Sequence, residues 1–324
     1  MAEKKHSAFA LLNILIRYSD EEHILTTRQI QQYMKDEYGL ILERRTLYSN
    51  MDILEQGGYS ISRYEDNGKG YYLEERQFDK AEILLLCNAI HASHFISSKQ
   101  SDQLIKKLLN TLSAFEAKEF KDSVYMPNSQ KTPNKELMYN VRAVSEAIRD
   151  RRTVSFTYLR YNKEKHLVPR RKEPYIVEPR YIVYADSRAY VIVTSLHHEG
   201  FIHYRLDRIS NVRILDESAV PLHKDVDAYQ YAKNKLFMFA GDMEAVTFRC
   251  HERIMDQMID LVGTEIMVLP DDEEHFAIRI RTSATGAKFL AQQYLDSLEI
   301  VDPVSLREEF EEELEEALTR YKKG

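Results

Sequence analysis

Cysteine is nearly absent: the 324 residues include two, Cys87 and Cys250, each isolated within an apolar pattern. That excludes a disulfide framework, and buried thiols in a reducing compartment are expected. Glycine and proline are scarce as well, at ten and eight residues, while hydrophobic residues make up 44% and charged residues 30%. A collagen-like, mucin-like or disordered chain is excluded on that composition. Long apolar runs are missing too. Stretches such as Ile83 to Cys87 are far too short to cross a bilayer, so no membrane span is expected. The N-terminal Met-Ala-Glu-Lys-Lys-His leads into an amphipathic helix carrying Asn13 and Arg17, without the apolar stretch and cleavage site of a signal peptide. A cytoplasmic location is expected.

The formal net charge is -7, but its distribution is uneven. From Arg151 to Arg180 nine Lys or Arg stand against three Glu, whereas residues 302–324 hold eight acids against four bases. The basic segment is a candidate for meeting anions. The Glu-rich run from Glu308 to Glu316 reads as the solvated face of a helix.

A chain this long implies two or three domains. Its first pattern is helical, with Phe9, Leu12 and Ile16 on one face and Leu11 and Leu15 widening it. A second helix has Thr26 or Thr27 as N-cap, Ile30 and Met34 toward the core and Gly39 at its left-handed end. A third begins near Arg44 and ends at Gly57-Gly58. Its apolar face is Leu47, Met51 and Leu54, which leaves Arg45, Tyr48 and Ser49 outward and Arg44 on the flank. Tyr59 to Tyr64, then Asn67-Gly68-Lys69-Gly70, then Tyr71-Tyr72-Leu73 predict a hairpin closed by a tight Asn-Gly turn. Three helices and a hairpin over residues 1–75 make a winged helix-turn-helix. Such a third helix fits the major groove with its N-terminal residues near base edges, so Arg45 is the candidate for guanine, with Arg44, Thr46, Tyr48 and Ser49 beside it. Arg63 and Lys69 would reach phosphate or the minor groove. The competing reading is a protein-protein module, because Asp20, Glu21, Glu22 and Glu43 keep this domain from being basic overall.

The residues Arg44-Arg45-Thr46-Leu47-Tyr48, then Gly57-Gly58-Tyr59, then Gly70-Tyr71-Tyr72-Leu73 resemble the DeoR-like winged helix of WYL-domain transcription regulators. The resemblance implies a double-stranded DNA operator as partner. Where that family usually carries an Arg-Asp pair this chain has Ser49-Asn50, which implies a different operator.

Residues 76–134 read as a helical connector and linker. Ile83-Leu84-Leu85-Leu86, Leu104, Leu108, Leu112 and Phe115 supply apolar faces, and Met126 to Lys135 is polar and proline-containing. His91 and His94 are three apart on one predicted helix but lack a third ligand at a recognisable spacing, so no metal is expected. Over 135–218, a helix from about Lys135 to Asp150 precedes strands with period two. Val154, Phe156 and Tyr158 alternate, and Tyr181 to Ala185, Ala189 to Ser195, Phe201 to Leu206 and Val212 to Leu215 follow. They are separated by Asp186-Ser187-Arg188, by His197-His198-Glu199-Gly200 and by Asp207-Arg208. A small β-barrel of Sm or SH3 type is predicted.

This stretch resembles the WYL domain. Its name-giving tripeptide stands as Ala189-Tyr190-Val191, and its most specific segment as Tyr204-Arg205-Leu206-Asp207-Arg208-Ile209. The resemblance implies sensing of a nucleotide or single-stranded nucleic-acid effector. His203 and Arg205 share one strand face, Tyr190 offers a ring, Arg208 adds a guanidinium, and Tyr158 and Arg180 complete the candidate set. Against this stands a structural reading in which Arg205 and Arg208 pair with Asp207 or with the acidic helices.

Residues 243–324 read strand (Ala245 to Cys250), helix (Glu252 to Leu261), two strands (Glu265 to Leu269, Phe276 to Thr282), helix (Ala284 to Leu295), strand (Glu299 to Val301) and a terminal helix. That order predicts a ferredoxin-like α/β sandwich. It also resembles the C-terminal extension that accompanies WYL domains. The whole is a multidomain α+β chain, expected to act as a homodimer because one recognition helix makes few base contacts. No Walker loop, dinucleotide fingerprint, His-Glu-x-x-His or serine elbow occurs, so neither catalysis nor a cofactor is expected. A nucleic-acid-processing enzyme and a non-DNA-binding assembly adaptor are the alternatives.

Overall fold

The computed structural model describes residues 2–123, 131–185, 187–195, 198–221 and 242–322. Residues 126–130 of the expected linker lie outside the described residues, as do Asp186 and His197 of two expected turns. The chain divides into two compact units, Met1–Lys135 and Glu136–Gly324.

The first unit opens with α1 (Ala2–Tyr18), α2 (Thr27–Tyr38) and α3 (Arg44–Gln56). α1 is apolar nearly all round, and its buried face centres on Leu11, Ile14 and Leu15 while Phe9 is 68% exposed. Leu12, Ile16, Leu11 and Leu15 face the core as expected and Phe9 alone turns away, since a near-continuous apolar run contains several helical stripes. α2 starts at a capping box in which Gln29 N–H donates to Thr26 Oγ1 and Thr26 N–H donates to Gln29 Oε1. It ends at Gly39, whose φ of 66° is left-handed as expected. Leu47, Met51 and Leu54 of α3 join Ile30 and Met34 in one core.

The hairpin pairs β1 (Ile61–Ser62) with β2 (Tyr72–Leu73) in antiparallel register. Its loop is not the expected tight turn. A helical turn, α4 (Tyr64–Asn67), occupies it, and Gly68 at φ 66° is the cap of that turn. Asn67 ties the loop together, donating to Ser62 Oγ, Arg63 O and Gly70 O and accepting from the Lys69 and Gly70 amides. Gly70 is required by contact, because a Cβ there would lie 2.3 Å from Leu25 O.

α5 (Lys80–Ala92), α6 (Ser98–Leu109) and α7 (Ala114–Ser123) pack around Ile83, Cys87, Leu109, Leu112 and Phe120. Leu85 and Leu86 of the expected apolar run are exposed. α5 ends before His94, so His91 and His94 do not share a helix, and no metal-competent cluster occurs among the described residues. Arg76 joins these helices to the first three. Its guanidinium donates to Ile16 O at 2.9 Å, Ser19 O at 2.5 Å and Thr111 O at 3.1 Å, satisfying carbonyls left over past two helix ends.

In the second unit α8 (Leu137–Arg149) precedes β3 (Arg152–Tyr161), β4 (Leu167–Pro169), β5 (Tyr175–Ala185), β6 (Arg188–Ser195), β7 (His198–Arg205) and β8 (Ile209–Ser218). The sheet runs β4-β3-β5-β6-β7, with β8 also on β3. Among the described residues the hydrogen-bonded path does not close into the expected barrel. β7 and β8 are instead joined by a 3-10 turn, Leu206–Arg208, and the seam is bridged by one side chain, Tyr158 Oη accepting from Arg205 N–H at 3.3 Å.

β9 (Glu244–His251), β10 (Val268–Pro270), β11 (His275–Thr282) and β12 (Leu298–Asp302) form an antiparallel sheet ordered β10-β11-β9-β12. α9 (Met255–Val262), α10 (Ala284–Gln293) and α11 (Val304–Lys322) cover one face of it. Val246, Phe248 and Cys250 alternate into that core against Met258, Leu290 and Phe310. No helix among the described residues is long and apolar enough to cross a membrane.

Candidate functional site

The first candidate surface is built by α3 and the hairpin. The α3 face bearing Leu47 and Met51 is locked in the core, so its other side turns outward, with Arg44 and Arg45 exposed and Thr46, Tyr48 and Ser49 half-buried. Beside it lies a cleft of about 600 Å³ lined by Thr27, Arg28, Arg44, Tyr48, Lys69 and Tyr71, among others. The Arg44 guanidinium stands 5.9 Å from the Tyr48 ring centre. Tyr71 Oη donates to Tyr48 Oη at 3.2 Å. That bond holds the Tyr48 phenol below its ordinary value, opposed by burial and helped by Arg44, whereas burial lifts Tyr71 to about 12.

Two residues of the expected DNA set behave differently. Arg63 is not a free cation. It donates to Glu55 through two nitrogens at 2.9 and 2.8 Å and to Asp52 at 2.6 Å, so it fastens β1 to α3. Those bonds, to Glu55 foremost, raise its pKa against the opposing effect of burial. Asn50 is fully buried and exchanges hydrogen bonds with Ser7, so the position that departs from the family's Arg-Asp pair belongs to the core. Lys69 is exposed at the hairpin tip, as expected.

The second candidate site lies where β6, β7 and the 3-10 turn meet. Tyr190 stands opposite Arg205 in the antiparallel register, and its ring is edge-on to His203 at 5.9 Å. Arg205 is not directed freely outward. Its Nε and Nη2 donate to Asp207 Oδ1 and Oδ2 at 2.9 and 2.7 Å, and the Asp207 side chain is 1% exposed. Burial disfavours the Arg205 charge, but the Asp207 carboxylate outweighs it and raises the pKa. Arg208 lies over the Tyr161 ring at 4.4 Å. Tyr158 joins Phe156, Tyr175 and Tyr204 in an aromatic cluster with centroid spacings of 4.9 to 6.5 Å. Burial raises the Tyr158 and Tyr204 phenols.

Arg180 is not brought to this site. It donates to Glu178 Oε2, Thr194 Oγ1 and Val220 O at 2.6 to 2.8 Å, while Glu178 Oε1 accepts from Val220 N–H, so the pair fixes the chain leaving β8. Two participants, Arg188 and Tyr175, escaped sequence reasoning, and Arg171 entered it only as one of the basic residues before Arg180. Arg188 opens β6, and its charge is disfavoured first by burial and then by Arg205, with Arg208 adding to this and Asp207 opposing it. Arg171 stacks on Tyr175 at 3.7 Å. Arg188 was read as a turn residue and Tyr175 preceded the predicted strand. The tyrosine spacing from Tyr175 to Tyr181 was the available signal that β5 starts early.

Residues 139–214 match the WYL domain family, so the aromatic and arginine cluster lies within a WYL domain. No curated protein matches the chain. Among solved structures it is similar to proteasome accessory factor B/C (PafBC) of Arthrobacter aurescens, at 19% identity and a TM-score of 0.29. That alignment covers 98% of this chain and 49% of PafBC, so the chain spans about half the length of that neighbour. A CRISPR Cas-related protein aligns at 12% identity and a TM-score of 0.38, covering 98% of this chain and 85% of its own.

Proposed function

We propose that this chain is a transcription regulator that reads duplex DNA with a winged helix-turn-helix formed by α1 to α3 and the hairpin. The observation that carries this reading is the pair of exposed arginines, Arg44 and Arg45, at the N-terminal end of a helix whose opposite face is locked in a core. That arrangement suits base edges in a major groove, with Thr27, Arg28 and Lys69 across the cleft suited to phosphates. Electrophoretic mobility shift against the chain's own upstream region tests it. A specific shift without strand cleavage supports a regulator; cleavage supports a nucleic-acid-processing enzyme; neither supports an adaptor. Two half-sites read by a homodimer complete the proposal, and sedimentation as a monomer both free and on DNA would exclude that part.

The WYL domain is the sensor in this reading, and an Sm or SH3-like barrel is the fold proposed for it, supported by the Arg205 N–H to Tyr158 Oη bond across the open seam. The C-terminal sheet order with helices over one face supports a ferredoxin-like sandwich. At the sensor, Arg188 and Arg205 interact with the Asp207 carboxylate, Arg208 lies over the Tyr161 ring, and Tyr190 stands opposite Arg205. A surplus of guanidinium beside aromatic rings suits an anionic, base-bearing effector, a nucleotide or single-stranded nucleic acid.

A further inference from the structure

Asn140 is fully buried on the apolar face of α8, in line with Leu137, Ala143, Val144 and Ala147. Its Nδ2 donates to Leu206 O at 3.2 Å and to Ile209 O at 2.7 Å, the carbonyls that bracket the 3-10 turn. Its Oδ1 is buried with no hydrogen-bond partner among the described residues. A leucine here would bury more apolar area but would take this donor away from the Leu206 and Ile209 carbonyls, so the amide serves the turn rather than simple packing. Its specific effect is to hold the turn. Four residues earlier Glu136 Oε2 accepts from Asn211 N–H at 3.0 Å, and Asn211 has a left-handed φ of 55°. The start of α8 thus grips both ends of the segment 206–211.

That segment carries Asp207 and Arg208 and follows Arg205 directly, and α8 is the first element after the boundary between the two units. We propose that Asn140, with Glu136, is a positioning residue that couples occupancy of the Arg205 and Arg208 cluster to the first turns of α8. In chain order those turns adjoin the segment leading to the DNA-reading unit. The inference rests on the effector reading given above. Coupling of this kind requires that the ligand bind one arrangement of the turn better than another, and three hydrogen bonds to one helix start give two such arrangements a means of reaching α8.

The test uses the full chain and a 5′-phosphorylated single-stranded pentadeoxynucleotide, with calorimetry for binding and amide hydrogen exchange for transmission. In the natural chain the probe should slow exchange both in 206–211 and in 140–144. Asn140→Ala and the exposed-site Glu136→Ala should keep probe affinity within about threefold and keep protection of the turn, yet lose protection of α8. Glu136→Gln, which retains an acceptor, should restore it. A second arm needs no probe. Arg205→Ala removes the two-point bond to Asp207 and should speed exchange in 140–144 by at least about threefold beyond any change in the β9–β12 sheet, and add nothing to that difference on Asn140→Ala. Absence of binding heat with the natural chain overturns the effector reading and the coupling drawn from it. Binding with α8 protected equally in all variants, or additive effects of Arg205→Ala and Asn140→Ala, overturns the coupling alone.

Discussion

Ser113 Oγ donates to Asp20 Oδ2 at 2.5 Å, tying the start of α7 to the loop that follows α1. Asp20 is 7% exposed, and its other oxygen accepts from the Glu22 and His23 amides and lies 2.8 Å from His23 Nδ1. The His23 ring in turn stacks on Phe115 with centroids 3.8 Å apart. Burial favours the neutral acid, but the bonds from Ser113 and His23 outweigh it and hold the carboxyl below its ordinary 3.8. A folded value below the unfolded one contributes stability above pH 3.8 that is lost as pH falls through the folded value. Ser113→Ala should therefore lower stability at pH 7 by about 1.5 to 3 kcal/mol, as for a hydrogen bond to a charged group, and the deficit should shrink in acid. Urea midpoints at pH 7 and well below pH 3.8 check this. A deficit that does not change with pH would show that the bond does not act on the charged form.

Arg63 and Lys69, at the two ends of the hairpin loop, should separate on mutation. Arg63 is held by Glu55 and Asp52, so Arg63→Ala should loosen the hairpin while changing the salt dependence of DNA binding little. Lys69→Ala should lower the slope of log affinity against log salt by about one, as expected for one phosphate contact. Titrations at several salt concentrations distinguish the two. Equal slopes for Lys69→Ala and the natural chain would remove Lys69 from the interface.

Local signals in the sequence were legible where their partners are local. Thr26, Gln29 and Gly39 fix both ends of α2 within their own turns, and the stripe Leu47, Met51, Leu54 orients α3. Asn67-Gly68 shows the limit, because a tight hairpin turn and a helical cap both need a left-handed glycine. Charge was visible in Arg63 and Arg180, but the acids that neutralise Arg63 lie eight and eleven residues away, and a bulge in β5 breaks the alternation between Arg180 and Glu178, two residues before it. Asp207, two residues from Arg205, could be weighed as a partner from the sequence, and it is one. Asn50, read with Ser49 as a departure that changes the operator, is instead buried against Ser7 of α1.

Arg45→Ala should weaken specific operator binding by about 1 to 3 kcal/mol, the range for one good contact to a guanine edge. Arg45 is exposed and its side chain is not part of the core, so the melting temperature should stay put. Asn50→Ala should do the reverse. It removes the hydrogen bonds that Asn50 exchanges with Ser7 in the interior and lowers stability, with specificity at the operator unchanged. Competition binding against operators substituted base by base, alongside melting curves, reads both; loss of base preference in Asn50→Ala would return that residue to the interface.

At the sensor the obvious arginine is the wrong one to mutate alone. Arg205 makes a two-point bond to a carboxylate that is 1% exposed, so Arg205→Ala takes that bond from a buried charge and should cost about 3 kcal/mol of stability. A loss of ligand binding in that variant could follow from unfolding. Arg208 rests on the Tyr161 ring, and no carboxylate grips Arg188 among the described hydrogen bonds and ion pairs. Arg188→Ala and Arg208→Ala should therefore keep the melting temperature nearly unchanged while each weakens an anionic probe, and the two losses should compound. If instead both variants bind the probe as the natural chain does, with Arg205 and Asp207 intact, the arginines serve the fold and the anion site lies elsewhere.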